Sequence, residues 1–327
     1  MERILVCGGA GYIGSHMVRR LLDEGFDVTV FDSFETGHRE AVPGEAEVFE
    51  GNLRNPSDVK RVLESRDFDA VFHFAARIQV GESVADPALY YGNNVEGTLN
   101  LLKAMVDRGI GRFVFSSSAA VYGTPVEIPI REEHPLAPIN PYGWTKRVVE
   151  QVLSDYWRAY GLASVSLRYF NACGADPEGR IGESHDPETH LIPNILKSAL
   201  SGSKTAVTIF GDDYPTPDGT CVRDYVHVCD LADAHLKALG SMKASPGARA
   251  YNLGNGKGFS VREVLAAAER VLGKEIERRI APRREGDPAF LVADSTLALR
   301  ELGWRPRFTS LDEIIRTALD WHRSPLY

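Results

Sequence analysis

"RILVCGGAGYIG", residues 3–14, sets a short apolar run against four glycines crowded into positions 8 to 14. An apolar run that stops at glycine reads as a buried parallel strand, because a strand covered on both faces need not alternate with polar residues. The stretch that follows, "YIGSHMVRRLLDEG" (12–25), carries apolar residues at helical spacing and stops at Gly25. Gly8, Gly11 and Gly14 stand three apart, and Gly9 adds a G-x-G-x-x-G match. Glycine at these places permits the tight turn and lets a pyrophosphate reach backbone amides at the positive end of the helix. Alone, the pattern says little. Its context strengthens it: "DVTVFD" (27–32) reads as the next strand and ends at Asp32, about 20 residues on, where a carboxylate accepts ribose hydroxyls. That charge would repel a 2′-phosphate, and Ser33 and Phe34 bring no guanidinium to neutralise one, so NAD is expected over NADP. Arg39 lies further along the loop and reads as a solvated surface charge.

Outward from this unit, the strand–helix order recurs in "AVFHFAA" (70–76), "NNVEGTLNLLKAMVDRG" (93–109), "RFVFSSS" (112–118), a helix around residue 142 and "SVSLRYFN" (164–171). Such alternation predicts an α/β fold with a doubly wound parallel sheet of the Rossmann type. Beyond residue 174 come polar loops rich in Gly and Pro, "GADPEGRIGESHDPETH" (174–190) and "GDDYPTPDGTCVRD" (211–224), with helical stretches at 191–200, 261–273 and 311–323. Loops of that length in an enzyme are usually functional. The expected organisation is a dinucleotide-binding domain over 1–173 and a smaller α/β substrate domain over 174–327. The segment near 221–240 is a candidate to pack back on the first sheet.

Composition narrows the function. The chain has 327 residues, 43% hydrophobic, with a formal net charge of −8, enough for a large core and a poor basis for a nucleic-acid groove. No apolar run approaches the roughly 20 residues of a membrane span, and the start lacks the regions of a signal peptide. The expectation is a soluble cytoplasmic protein with no membrane or nucleic-acid partner. Cys7, Cys173, Cys221 and Cys229 are scattered without metal-ligand spacing, and the nine histidines form no helical pair around a carboxylate, so no metal is assigned.

Ser118 lies at the carboxyl end of a strand, where doubly wound sheets bind ligands. Tyr142 and Lys146 follow on a helix with Asn140 as N-cap and Pro141 at its first position. Four residues apart, they share a helical face. A phenol beside an ammonium ionises more easily, which suits it to act as base and acid at a sugar hydroxyl.

These features together resemble the extended short-chain dehydrogenase/reductases, and within them the UDP-glucose 4-epimerase branch. The stretches that narrow the match are "GGAGYIGSH", "VFHFAA", "YYGNNVEGT", "FSSSAAVYG", "PYGWTK", "LRYFNACGA", "IFGDDYPTPDGTCVRDYVHVCDLA", "YNLGNG" and "APRREGDPA", which span nearly the whole chain. The resemblance implies reversible 4-epimerisation of UDP-galactose and UDP-glucose through a 4-keto sugar. Tyr142 would be the base, Lys146 would lower its pKa and hold the nicotinamide ribose, and Ser118 would bond the reacting oxygen. NAD would be lined by Tyr12, Ile13, residues 32–37 with Ser33, Phe34, Thr36 and Gly37, then by Asn52, Leu53, Phe74, Ala75, Ala76 and Asn93. Ser116 and Tyr169 would close that site. The UDP-sugar would meet Phe170, Asn171, His190, Leu191, Thr208, Ile209, Phe210, the 284–287 stretch with Arg284 and Asp287, and Leu291. Arg223 and Arg284 suit a diphosphate clamp, since a guanidinium presents a fork of donors to phosphate oxygens. The resemblance also implies a homodimer built from the 93–109 and Tyr142 helices.

Some positions depart from the branch. Asn52 replaces an Asp that accepts from adenine, Arg77 and Ile78 replace a stretch where some members carry a Lys, and His190 stands where some have Asn. Leu291 is intermediate between the Tyr of members restricted to unacetylated sugars and the smaller residues of members that take N-acetylated ones, which leaves other UDP-sugars open. A 4,6-dehydratase would carry an Asp-Glu pair where Ala119 and Ala120 stand, and a non-catalytic NAD sensor would be expected to lose Ser118, Tyr142 or Lys146.

Overall fold

The structure, a computed structural model, describes residues 1–201, 206–284 and 286–327. The first strands are β1 Arg3–Cys7, β2 Asp27–Asp32, β3 Glu47–Glu50, β4 Ala70–His73, β5 Arg112–Ser116 and β6 Ala163–Tyr169. They are followed by β7 Asn171–Cys173, β8 Val207–Phe210, β9 Val222–His227, β10 Ala248–Leu253, β11 Gly258–Ser260, β12 Arg278–Ala281 and β13 Phe290–Leu291. A seven-stranded sheet runs in the order β10-β6-β5-β4-β1-β2-β3, with every neighbouring pair parallel.

The opening run alternates in space, not in chemistry. Ile4 and Val6 pack with Met17, Val18 and Leu21 of helix Tyr12–Asp23 and with Leu231, Ala234 and Ala238 of helix Val228–Ala244. Leu5 and Cys7 face the other way, onto Val59, Leu63, Leu101, Met105, Val149 and Leu153. Successive side chains of a strand point to opposite faces, and both faces here are covered, so the whole run is apolar. Burying each such side chain contributes about 1.5–3 kcal/mol. Three of the four cysteines, Cys7, Cys173 and Cys221, are buried free thiols.

The sheet reverses its winding beside β1: β2 and β3 lie on one side of it, β4, β5 and β6 on the other. A crevice therefore opens beyond the carboxyl ends of β1 and β4. Its floor is tied across the switch, where the amides of Phe74 and Ala75 donate to Cys7 O at 2.8 and 3.1 Å.

The second lobe has its own core, with Ile195, Leu196, Ile209, Tyr225, Val264, Leu265, Ile314 and Leu319 among its members. Its strands form the sheet β11-β9-β13, joined by β7 on β9, and the pair β12-β8. Chain from beyond residue 173 also returns to the first sheet. Helix Val228–Ala244 packs on helix Tyr12–Asp23, and β10 pairs with β6 as the seventh strand. β10 gives little signal in the sequence because it is an edge strand: Ala248, Arg249 and Ala250 are only part-buried, so "ARAYNL" has no continuous apolar run. Among the described residues no helix is long and apolar enough to cross a membrane.

Candidate active site

The crevice is a cleft of about 980 Å³, at the upper end of the range for ligand sites. Its cradle is the glycine turn. Gly8 has φ +79°, and a Cβ there would fall 2.4 Å from Ala75 N; a Cβ on Gly14 would fall 2.0 Å from Gly8 O. Helix Tyr12–Asp23 opens at Gly11 with no side-chain cap, so amides of its first turn are left for an anion. Asp32 fixes the rim: its carboxylate accepts from Ala10 N and Phe34 N, each at 2.9 Å. Burial raises the Asp32 pKa, and those amides, with that of Ser33, oppose the rise. Phe34 takes a positive φ of 56°, and Arg39 lies over its ring at 4.7 Å.

The adenine end holds a network that the sequence did not suggest. Glu35 accepts from Asn52 Nδ2 at 2.8 Å, Arg54 at 2.7 Å and Arg77 at 2.8 Å. Asn52 Oδ1, the acceptor that would face adenine, already receives Arg54 N at 2.9 Å. Arg77 thus reaches the cleft wall as the partner of Glu35.

Ser118, Tyr142 and Lys146 come together at the opposite end of the cleft. Helix Pro141–Tyr160 starts as its sequence predicts: Asn140 Oδ1 accepts from Gly143 N at 2.8 Å, Pro141 follows, and Gly161 ends it at φ 69°. Lys146 is buried and donates to Ser116 O at 2.8 Å, while its Nζ sits 5.8 Å from the Tyr142 ring centre. Ser116 in turn shares a hydrogen bond with the Tyr169 hydroxyl. One turn further on, Glu150 accepts from Ser117 Oγ at 2.6 Å and from Arg168 at 2.9 and 2.7 Å, all of them buried. Arg168 continues to the Tyr122 hydroxyl at 2.9 Å, and that hydroxyl donates to Asn252 Oδ1 in β10 at 2.6 Å. This chain of contacts locks the reactive face of the helix against β5, β6 and β10. Its sequence signal was a third member of the same stripe, Glu150, four residues after Lys146.

The expected lowering of the Tyr142 pKa by Lys146 is not what this geometry produces. Burial raises the phenol, and only a hydrogen bond from Ser118 favours its ionised form. Burial also pushes the Lys146 ammonium down to about 7, with the Glu150 charge opposing. An amine that titrates near neutrality offers the phenol less charge than a solvated lysine would. Both groups are desolvated, and for each the loss of solvent disfavours the charged form.

Every residue expected at the cofactor lines this cleft, from Gly8, Gly11 and Gly14 through Asn93 to Tyr169. On the sugar side Ser118, Phe170, Asn171, His190, Asp287 and Leu291 line it as well. Leu191, Thr208, Ile209, Phe210, Arg223 and Arg284 lie outside the lining among the described residues, and Glu285 is not among the described residues. Arg223 is buried and pairs with Asp287, and it also donates to Val222 O at 2.7 Å; Arg284 stacks over the Phe210 ring at 4.0 Å. The loop before helix Leu191–Leu200 brings Glu183, His185, Glu188 and His190 together, with Glu183, His185 and His190 on the cleft wall, a grouping hidden in the sequence because their spacing is not helical.

The residues present fit a dinucleotide: a glycine cradle, free helix-end amides and a carboxylate at the end of β2 stand in one crevice. A family model described as NAD dependent epimerase/dehydratase family matches residues 4–254. The UDP-glucose 4-epimerase of Lactobacillus helveticus is 52% identical over 322 residues, covering 98% of this chain and 97% of its own. The crystal structure of UDP-glucose 4-epimerase from Brucella ovis in complex with NAD superposes with TM-score 0.94 at 47% identity, covering 98% of each chain. That from Bifidobacterium longum, in complex with NAD+ and UDP, gives 0.93 at 40% identity, over 99% of this chain and 98% of its own. With the match running from β1 through β10, across the cradle and the Tyr142 helix alike, the chain belongs to the NAD dependent epimerase/dehydratase family.

Proposed function

We propose that the protein is an NAD-dependent UDP-glucose 4-epimerase, interconverting UDP-galactose and UDP-glucose through a 4-keto sugar. The observation that supports this best is the joining, in one cleft, of a dinucleotide cradle to a Ser118–Tyr142–Lys146 group whose lysine is buried and whose serine and tyrosine are part-buried. Bound NAD supplies the acceptor and later the donor of the C4 hydride. Tyr142 takes the proton of the 4-hydroxyl, and Ser118 holds the same oxygen. Lys146, anchored on Ser116 O, holds the nicotinamide ribose. When the flat ketone has turned over in the site, Tyr142 returns the proton to the oxygen on the other face. Phe170, Asn171 and Leu291 bound the sugar, while the second lobe grips the UDP. Binding energy from that unreacting handle keeps the intermediate from leaving. Ala119 and Ala120 supply no acid for elimination, which disfavours a dehydratase.

The same proposal places the enzyme in the cytoplasm as a homodimer formed through helices Gly97–Asp107 and Pro141–Tyr160. Exposed Tyr91, Leu99 and Trp144, on or beside these helices, support that interface. We divide the chain functionally into 1–173 and 174–327, with residues 228–253 completing the first unit.

Purified protein given UDP-galactose without added NAD is expected to form UDP-glucose, followed by NMR. No conversion, even with NAD supplied, would reject the reading; UDP-N-acetylgalactosamine in parallel reports whether Leu291 leaves room for an acetamido group. Light scattering is expected to give twice the 36.0 kDa chain mass, and a monomer alone would remove the dimer from the proposal.

A further inference from the structure

Within eight residues, 183 to 190, the loop before helix Leu191–Leu200 carries four side chains able to ligate a metal, and folding converges them. One ligand atom from each of Glu183, His185, Glu188 and His190 lies within 4.8 Å of every other. Glu183 Oε1 stands 3.1 Å from His185 Nδ1 and 2.8 Å from His190 Nδ1; Glu188 Oε1 stands 3.9 and 3.2 Å from the same two nitrogens. Four ligands on tetrahedral bonds of about 2.0–2.2 Å stand roughly 3.3–3.6 Å apart, in the middle of those separations.

Alignment supports the same point. Glu183 is 4% exposed, and neither its Oε1 nor His185 Nδ1 has a hydrogen-bond partner, although the two atoms are within reach of one another. A buried carboxylate oxygen left so costs about 1–3 kcal/mol or more. Other charge nearby is limited: Lys197 Nζ is 3.6 Å from Glu188 Oε2, on the far oxygen.

We propose that Glu183, His185, Glu188 and His190 bind one divalent transition-metal ion of the zinc type. Two imidazoles with two carboxylates suit zinc and its neighbours, and disfavour magnesium and calcium, which take oxygen. The His190 side chain is 36% exposed and faces the cleft, which provides an entry path. The ion acts as a clip on the cleft wall, joining the loop to the start of helix Leu191–Leu200 beside Tyr12, whose ring meets His185 edge-on at 6.3 Å. It takes no part in the hydride step, but His190 is also a residue expected at the UDP-sugar, so the inference shares that wall with the epimerase reading and is tested by metal content, not turnover.

The test uses the purified full chain, stripped with a chelator, desalted, and titrated with Zn²⁺ against a chromophoric competitor. The expected result is one Zn²⁺ per chain, with Glu183→Gln and His185→Gln each weakening binding at least about a hundredfold at unchanged NAD content and circular dichroism. Co²⁺ in place of Zn²⁺ is expected to give the strong visible bands of four-coordinate cobalt, absent in the variants. If one variant fails to fold, the other and the Co²⁺ spectrum of the wild type decide. Failure of the wild type to bind Zn²⁺ stoichiometrically, or full affinity in a folded variant, overturns the site and leaves the cluster balanced by imidazolium alone.

Discussion

Tyr142→Phe is expected to lower kcat by about 10²–10⁴, the usual contribution of a positioned acid–base group, while the protein keeps its NAD. The phenol is part-buried in the cleft and receives a hydrogen bond from Ser118. Among the described residues, the two neighbours of the phenol are poorly suited to take the 4-hydroxyl proton: Ser118 is a poor base, and Lys146 Nζ is committed to Ser116 O at 2.8 Å. Removing one hydroxyl leaves the helix start at Asn140, the Lys146 contact and the glycine cradle untouched, so cofactor content should match the wild type. The pH profile adds a second readout. Burial holds the free phenol above its ordinary pKa, and the reactive form is the one that has lost its proton, so wild-type activity rises with pH on the side where Tyr142 ionises. Oxidised nicotinamide carries a positive charge that favours phenolate, which moves that limb toward neutrality in the loaded enzyme. The residual activity of the variant should lack this limb. Activity near wild type, or an unchanged limb, would mean that another group is the base.

What the sequence revealed of this site is what lies close along the chain. The glycine turn, Asp32 at the end of β2, the Asn140 cap and the Tyr142–Lys146 stripe each occupy a few consecutive residues, and local geometry fixes how they point. The contacts that hold them in place are long-range. Glu150 meets Arg168 18 residues on, Tyr122 meets Asn252 130 residues on, and Arg223 meets Asp287 64 residues on. No periodicity reports such pairings. Strand β10 escaped for a related reason: its place in the sheet comes from its partner β6, not from an apolar run of its own. Proximity of Tyr142 to Lys146 is visible in the sequence, whereas the burial that raises the one and lowers the other is a property of the packed helix.

Gly14→Ala is expected to yield protein with little NAD and a lowered melting temperature, whereas Gly11→Ala is expected to fold as the wild type does and bind NAD more weakly. Both glycines belong to the same G-x-G-x-x-G match, so the pattern alone treats them alike. Their surroundings differ. A Cβ on Gly14 would fall 2.0 Å from Gly8 O and 3.0 Å from Gly9 Cα, against backbone that has no rotamer to yield, while a Cβ on Gly11 would meet only Gly8 O at 3.5 Å, an ordinary contact. Relieving the first clash must push helix Tyr12–Asp23 away from β1. That opens the packing of Met17, Val18 and Leu21 on Ile4 and Val6, and overpacking of this kind typically costs about 1–3 kcal/mol. The shift also carries the first-turn amides away from the pyrophosphate position, so cofactor is lost together with stability. Both glycines line the cleft, but a methyl added at Gly11 occupies space needed by the phosphate without disturbing the core. Melting curves of the two variants, with NAD released by denaturation and quantified, separate these outcomes. Equal loss of stability in both would mean that the turn is strained throughout, and unchanged NAD in both would remove the cradle from the binding site.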